Sequence, residues 1–248
     1  MEQASWTLSW AGGTDKGKVR QQNQDTFYID PNGRYMILAD GMGGHSGGEI
    51  ASQRTVDAVQ EALDAIDWSA APNAQAIAEL CVAKANHSLQ EWVDDHPEHA
   101  DLGTTLLVWI RTANRVYLVS LGDSRIYLYR KEGLFLLTFD QVIENELRKK
   151  GVSREQAARS QGAAYLSRCI LANRVCVPDV LETKISHGDV WLLCSDGLTR
   201  EVPAEDISAA LDSVKVHGPE ACVESLIHKA VDNGGRDNVT VVVAHFAD

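Results

Sequence analysis

Seven short runs rich in β-branched, aliphatic or aromatic residues punctuate the chain, at 34–39, 104–110, 116–121, 125–129, 134–137, 190–194 and 239–246. Runs of this length and composition predict β-strands. Only Gly122, Asp123 and Ser124 separate 116–121 from 125–129, which predicts a tight hairpin with antiparallel pairing. Elsewhere the apolar spacing is helical: Val56, Val59, Leu63 and Ile66 after a glycine-rich stretch, then Ile77, Leu80, Lys84, Leu89 and Val93 after Pro72-Asn73. Ile207, Leu211 and Val214, then Cys222, Leu226 and Ala230, predict two more helices near the C-terminus. The order of strands, two helices, a block of strands, helices and a last strand is an α+β layout. It favours antiparallel sheets flanked by helices over alternating βαβ units.

Residues 141–167 differ in character. Glu144 to Lys150 is charged and helix-prone, Gly151 breaks it, and Ser153 with Gln156 three residues on reads as a capping box. This is a surface excursion, either a functional flap or a plain helical hairpin.

With 248 residues, 44% of them hydrophobic, the chain has enough apolar material for one domain over 1–248. A net charge of −12 with no basic cluster argues against nucleic acid and anionic membranes as partners. Cys81, Cys169, Cys176, Cys194 and Cys222 form no C-x-x-C pair and lie in apolar stretches, which points to reduced, buried thiols. Met1 to Trp6 carries an acidic residue and no apolar run of signal-peptide length, and no segment reaches the length of a membrane span. The expected address is the cytoplasm.

The chemistry concentrates where strands meet glycines. One apolar run leads straight into Asp40-Gly41-Met42-Gly43-Gly44-His45-Ser46-Gly47-Gly48. Glycines there let the backbone approach an ion and offer carbonyl ligands, while a strand end holds the aspartate rigidly. A second run ends in Ser195-Asp196-Gly197, and Gly234-Gly235-Arg236-Asp237-Asn238 opens the last strand. Any one of these segments also fits a tight turn with no ligand. Three together point to a shared cation, because clustered carboxylates repel one another unless neutralised. All-oxygen donors suit magnesium or manganese, and the absence of a spaced His or Cys set disfavours zinc. Asp123 adds a carboxylate at the expected hairpin tip. Arg20, followed by Asn23, Gln24 and Asp25, offers a guanidinium of the kind that binds phosphate through two parallel hydrogen bonds.

Six segments in order resemble the metal-dependent protein phosphatase family, the protein phosphatase 2C type, in its bacterial serine/threonine phosphatase branch. They are Arg20-x-x-Asn23-Gln24-Asp25, Asp40 to His45, Gly103-Thr104-Thr105, Gly122-Asp123-Ser124-Arg125, Ser195-Asp196-Gly197-Leu198 and Asp237-Asn238-Val239-Thr240. The resemblance implies a sandwich of two antiparallel sheets flanked by helices, with two divalent ions, Mn2+ or Mg2+, at one end. It implies that Asp40 bridges both ions, that the Gly41 carbonyl completes one site, and that Asp196 and Asp237 complete the other. Asp25 and Asn238 would stand behind these ligands, Asp25 reaching an ion through water. Asp123, with Asp196, would hold a weaker third ion. Arg20 would clamp the phosphate.

The activity implied is hydrolysis of phosphoserine and phosphothreonine in proteins by in-line attack of a metal-bridging hydroxide, opposing a cognate serine/threonine kinase in signalling. A monomer is expected. His45 is the nearest candidate proton donor, because Met42 stands where some relatives place a histidine. Gly103-Thr104-Thr105 reads as strand geometry. Asp140-Gln141-Val142 and the run Tyr165 to Ile170 depart from the family pattern, which touches substrate choice and leaves the metal ligands intact.

Two rival functions are a non-catalytic phosphatase-like module that binds phosphoproteins and a hydrolase of small phosphate esters. The first is disfavoured because all three metal aspartates are present, the second because no nucleotide-binding loop is visible. His96 and His99 read as a solvated loop, and the tryptophans as core.

Overall fold

The computed structural model describes residues 7–43, 47–68 and 73–247. In it two antiparallel sheets stack face to face with helices outside each. The first sheet has the order β1 (Thr7–Asp15), β12 (Val239–Ala247), β11 (Val190–Cys194), β7 (Arg125–Arg130), β8 (Gly133–Leu136). The second runs β10 (Asp179–Lys184), β6 (Arg115–Leu121), β5 (Leu106–Arg111), β3 (Tyr35–Met42), β4 (Gly103–Thr104), β9 (Ile170–Leu171), with β2 (Asp25–Ile29) also on β3. Helices α1 (Gly47–Asp64) and α2 (Ala74–Asp95) cover the second sheet, and α5 (Asp196–Glu201), α6 (Ala204–Asp212) and α7 (Val214–Asp232) cover the first. The α+β sandwich expected from the sequence is the fold observed.

Because successive strand residues face opposite ways, each central strand feeds two cores. Met36 and Leu38 of β3 point between the sheets with Leu107, Trp109, Trp191, Leu193, Val242 and Phe246. Ile37 and Ala39 point to α1 and α2, where they meet Val56, Val59, Leu63, Ile77 and Leu89. Val241 and Val243 of β12 do the same toward Ile207, Leu211, Cys222 and Leu226. Trp109 and Trp191 meet edge to face across the middle, ring centroids 6.0 Å apart, both fully buried. All five cysteines are free and buried.

The expected flap contains α3 (Ile143–Lys149) and α4 (Arg154–Ala158), with the Ser153 hydroxyl accepting from Gln156 N at 3.3 Å. The expected hairpin at Gly122-Asp123-Ser124 is corrected: β6 and β7 lie in different sheets, so these residues arch from one sheet to the other. Each strand is hydrogen-bonded on both edges within its own sheet, β6 between β10 and β5 and β7 between β11 and β8, and that outweighs the local turn signal. Gly122 takes φ 105° there, and a Cβ on it would lie 2.5 Å from Thr105 Cγ2. Gln141, fully buried, clasps the arch by accepting from Gly122 N at 3.0 Å while its own N–H donates to Gly122 O at 2.9 Å.

Candidate metal centre

Antiparallel register gathers the chain's aspartates at one end of the sandwich. Asp25, the first residue of β2, stands directly opposite Asp40 near the end of β3. Residues opposed in this way have Cβ atoms about 5 Å apart. In the other sheet Cys194 is opposite Val241 on one side and Arg125 on the other. Asp196, Asp237 and Asp123 therefore follow, or precede, strand ends at the same mouth.

Asp40 is fixed through its backbone. Its N–H donates to Thr105 Oγ1 at 2.9 Å, and its carbonyl accepts from Thr105 N and Thr104 Oγ1, both at 2.9 Å. Thr104 and Thr105 are thus strand geometry, as expected. Gly41 N donates to Gln24 O at 3.0 Å, and a Cβ on Gly41 would lie 2.0 Å from the Gly48 carbonyl oxygen. Only glycine lets the start of α1 come this close. Gly197 plays the matching part in the other sheet, where a Cβ would lie 1.9 Å from Asn238 O. Asp196 opens helix α5 rather than merely ending a strand.

Asp25 is buried and oriented by two hydroxyls, Ser195 Oγ and Thr240 Oγ1, each donating to Oδ2 at 2.7 Å. Its Oδ1 is buried with no donor. Asn238 ties the loop that carries Arg20 to the start of β12, accepting from Gln24 N at 2.9 Å and donating to Lys16 O and Gln22 O at 3.0 and 2.9 Å. Arg20, half exposed at the rim, donates to Asp237 Oδ2 at 2.7 Å. Ser195 and Thr240 lie inside the segments read from the sequence, but a buried hydroxyl aimed at a carboxylate has no sequence signature. Arg200 was missed altogether: it donates to Asp237 Oδ2 at 3.1 Å and pairs with Asp196. Its i,i+4 spacing from Asp196 was the available signal. His45 lies outside the described residues.

The electrostatics are those of too much negative charge in too little water. Burial pushes the Asp25 carboxyl up to about 6 against the pull of its two hydroxyl donors. Asp40 is raised well above the usual carboxylate range by burial and then by Asp25, Asp196, Asp123 and Asp237. Asp196 is raised to about 7 by burial and by Asp123, and burial raises Asp123 as well. Among the described residues no three His, Cys, Asp or Glu side chains are placed to hold an ion on their own, so carbonyl and water ligands must complete any site. An open arrangement with one backbone carbonyl, one orphaned carboxylate oxygen and mutually repelling aspartates fits hydrated Mg2+ or Mn2+, which keep several waters. Asp40, Asp196, Asp237, Gly41, Asp25 and Asn238 converge on this mouth, with Asp123 at its side on the arch.

A helix-flanked sandwich of two antiparallel sheets thus carries an oxygen-only, carboxylate-rich centre at one end with an arginine at its lip. Residues 13–217 match the family described as protein phosphatase 2C, and the chain belongs to that family. It is 35% identical over 250 residues to serine/threonine protein phosphatase PstP of Mycobacterium tuberculosis, covering 100% of this chain and 47% of that protein. The chain thus spans about half the length of that relative. It is 31% identical over 235 residues to serine/threonine phosphatase stp of Listeria monocytogenes, covering 93% and 92% of the two chains. A crystal structure of the catalytic domain of PstP in complex with two manganese ions superposes with a TM-score of 0.82 at 33% identity, covering 98% of this chain and 100% of that one.

Proposed function

We propose that this chain hydrolyses phosphoserine and phosphothreonine in proteins, using two divalent metal ions and opposing a serine/threonine kinase. The observation that carries the reading is the convergence of Asp25, Asp40, Asp196 and Asp237 at one strand-end mouth, with excess buried negative charge and a guanidinium at the rim. The phosphatase names of the relatives and the two manganese ions of the PstP structure support it. Asp40 and the Gly41 carbonyl would hold one ion, Asp196 and Asp237 the other, with Asp40 between them. Such a pair lowers the pKa of bound water and offsets charge on a phosphoryl group.

The chain's own residues supply the rest. Ser195 and Thr240 keep Asp25 aimed at the mouth, and Asn238 keeps the Arg20 loop in place. Asp237 hydrogen-bonds Arg20 and so raises its pKa further. Arg20 stays charged and can turn its fork to two phosphoryl oxygens. The five free, buried cysteines support an address in the reducing cytoplasm. Among the described residues no helix is long and apolar enough to cross a membrane. We read residues 1–248 as one domain acting as a monomer.

The test is release of phosphate from a phosphothreonine peptide by metal-stripped protein, with manganese, magnesium or zinc added back, alongside Asp237→Asn. Activity restored by manganese or magnesium and lost in the variant is the expected result. No turnover with any metal, from protein shown to be folded, would sink the reading and leave a phosphoprotein-binding module.

A further inference from the structure

The end of the sandwich away from the metal mouth holds a cavity of about 1080 Å³ between the β7–β8 turn, the loop 185–189 and the last residues of β12. Val190, which opens β11, stands opposite Tyr129 on one side and His245 on the other, whereas Cys194 closes the same strand at the metal mouth. At about 3.3 Å per residue the strand keeps the two ends roughly 13 Å apart. One wall of the cavity is apolar, made by Leu128, Phe135 and Leu137, and Phe135 is 43% exposed. The floor is closed on itself, because Arg130 donates to both oxygens of the buried Asp189 at 2.6 and 2.8 Å. The remaining side is open: His245, only 8% exposed, lines the cavity with no hydrogen-bond partner for its ring among the described residues. A buried polar group without a partner is uncommon in a folded chain. The charged groups that act on His245 are Lys215, in the first turn of α7, and His187, and both hold its pKa below the ordinary value, as burial does. Lys215 itself has an exposed pairing with Asp212 at 3.7 Å, a kind of contact worth little in water.

We propose that this cavity binds a small organic anion, its apolar body against Phe135 and Leu137 and its acidic head on Lys215 and His245. Small-ligand pockets of this size combine apolar walls with a few polar groups in the same way. The ammonium supplies charge and the neutral imidazole one N–H donor, a pair that suits a carboxylate or a phosphate-type oxyanion. In a chain of net charge −12, a corner where two cations face an unpartnered imidazole is a place for an anion rather than a metal ion.

Titrating anilinonaphthalene sulfonate, an aromatic anion that coordinates metals poorly, into the manganese-loaded protein tests the site, with fluorescence as the readout and folding checked by circular dichroism. One saturable site per chain is expected, with affinity about tenfold lower in Lys215→Met and in His245→Leu. Benzoate or phenylphosphonate should displace the probe, and the stronger competitor identifies the preferred head. Lys215 lies near the surface, so Lys215→Met separates lost binding from lost fold even where His245→Leu does not fold. No saturable binding, equal affinity in wild type and Lys215→Met, or displacement by neither competitor would overturn the proposal.

Discussion

The two ends of the β2–β3 hairpin carry buried or part-buried carboxylates in opposite circumstances. At the turn, Asp30 receives Arg34 Nε and Nη2 at 3.0 and 2.6 Å and the backbone N–H groups of Asn32 and Arg34, both at 3.0 Å. Burial alone would raise its pKa, but the bonds and charge of Arg34 outweigh it and hold the carboxyl below the usual value. At the open end Asp25 and Asp40 face each other, Asp25 Oδ1 has no donor, and both are pushed upward. The same few residues of strand thus present one carboxylate that is complete in the protein and two that are not. Satisfied buried charge stabilises a fold, whereas unsatisfied buried charge is tolerated where something else binds.

Substitutions at the two ends should therefore separate activity from stability. The largest expected effect is at the open end: Asp40→Asn should lower phosphopeptide turnover by on the order of 10³-fold, without lowering the thermal midpoint of the metal-stripped protein. Steady-state kinetics with manganese and a melting curve in chelator check both halves. At the turn the pattern should invert. Asp30→Asn breaks a hydrogen-bonded charge pair and is expected to lower unfolding free energy by about 2–3 kcal/mol, read by urea denaturation, with kcat near wild type. A smaller effect sharpens the contrast from within the centre: Ser195→Ala removes one of the two hydroxyls on Asp25 and should weaken manganese binding by about 10- to 100-fold, measured by calorimetric titration. Loss of stability at Asp40 together with loss of activity at Asp30 would erase the distinction.

The residues that were legible in the sequence are those where chemistry and backbone demand coincide. Asp40-Gly41 and Asp196-Gly197 stood out because an apolar strand, an acid and a glycine follow in immediate succession, and a Cβ at either glycine would strike a backbone carbonyl. The central strands were visible for a similar reason: burial on two faces gives nearly continuous apolar runs. Strand β1 was not visible. It lies at a sheet edge with Gly12 and Gly13 in its middle, and Gly12 leaves room for the Phe27 ring, which a Cβ would meet at 2.5 Å. The edge strand β10 reads Asp-Val-Leu-Glu-Thr-Lys, largely exposed, and gives no apolar run either. The arch at Gly122 carried the residues of a hairpin, because local turn preference says nothing about which sheet the next strand joins. Gln141 shows the same limit: its clasp on the arch comes from a partner 19 residues away. Arg200 was hidden by ordinariness, since an arginine on a short helix is usually solvated.

The sign of the pH dependence carries the central claim. Asp25 and Asp196, raised to about 6 and about 7, hold more protons in the folded chain than in the unfolded one, where carboxyls titrate near 4. The stability they contribute is complete below that unfolded value and is lost as pH rises through 6 and 7. Asp30, shifted downward, has the opposite sign, and its contribution fades only as the solution is acidified below the unfolded carboxyl value. The decisive measurement is the thermal midpoint of metal-stripped protein in chelator from pH 5 to pH 8, for wild type and Asp40→Asn, repeated with manganese at pH 8. The midpoint is expected to fall with rising pH in wild type, to fall less in Asp40→Asn, and to be restored by manganese in wild type. A midpoint that stays level or rises across this range, with equal slopes in the two proteins and no response to manganese, would contradict it.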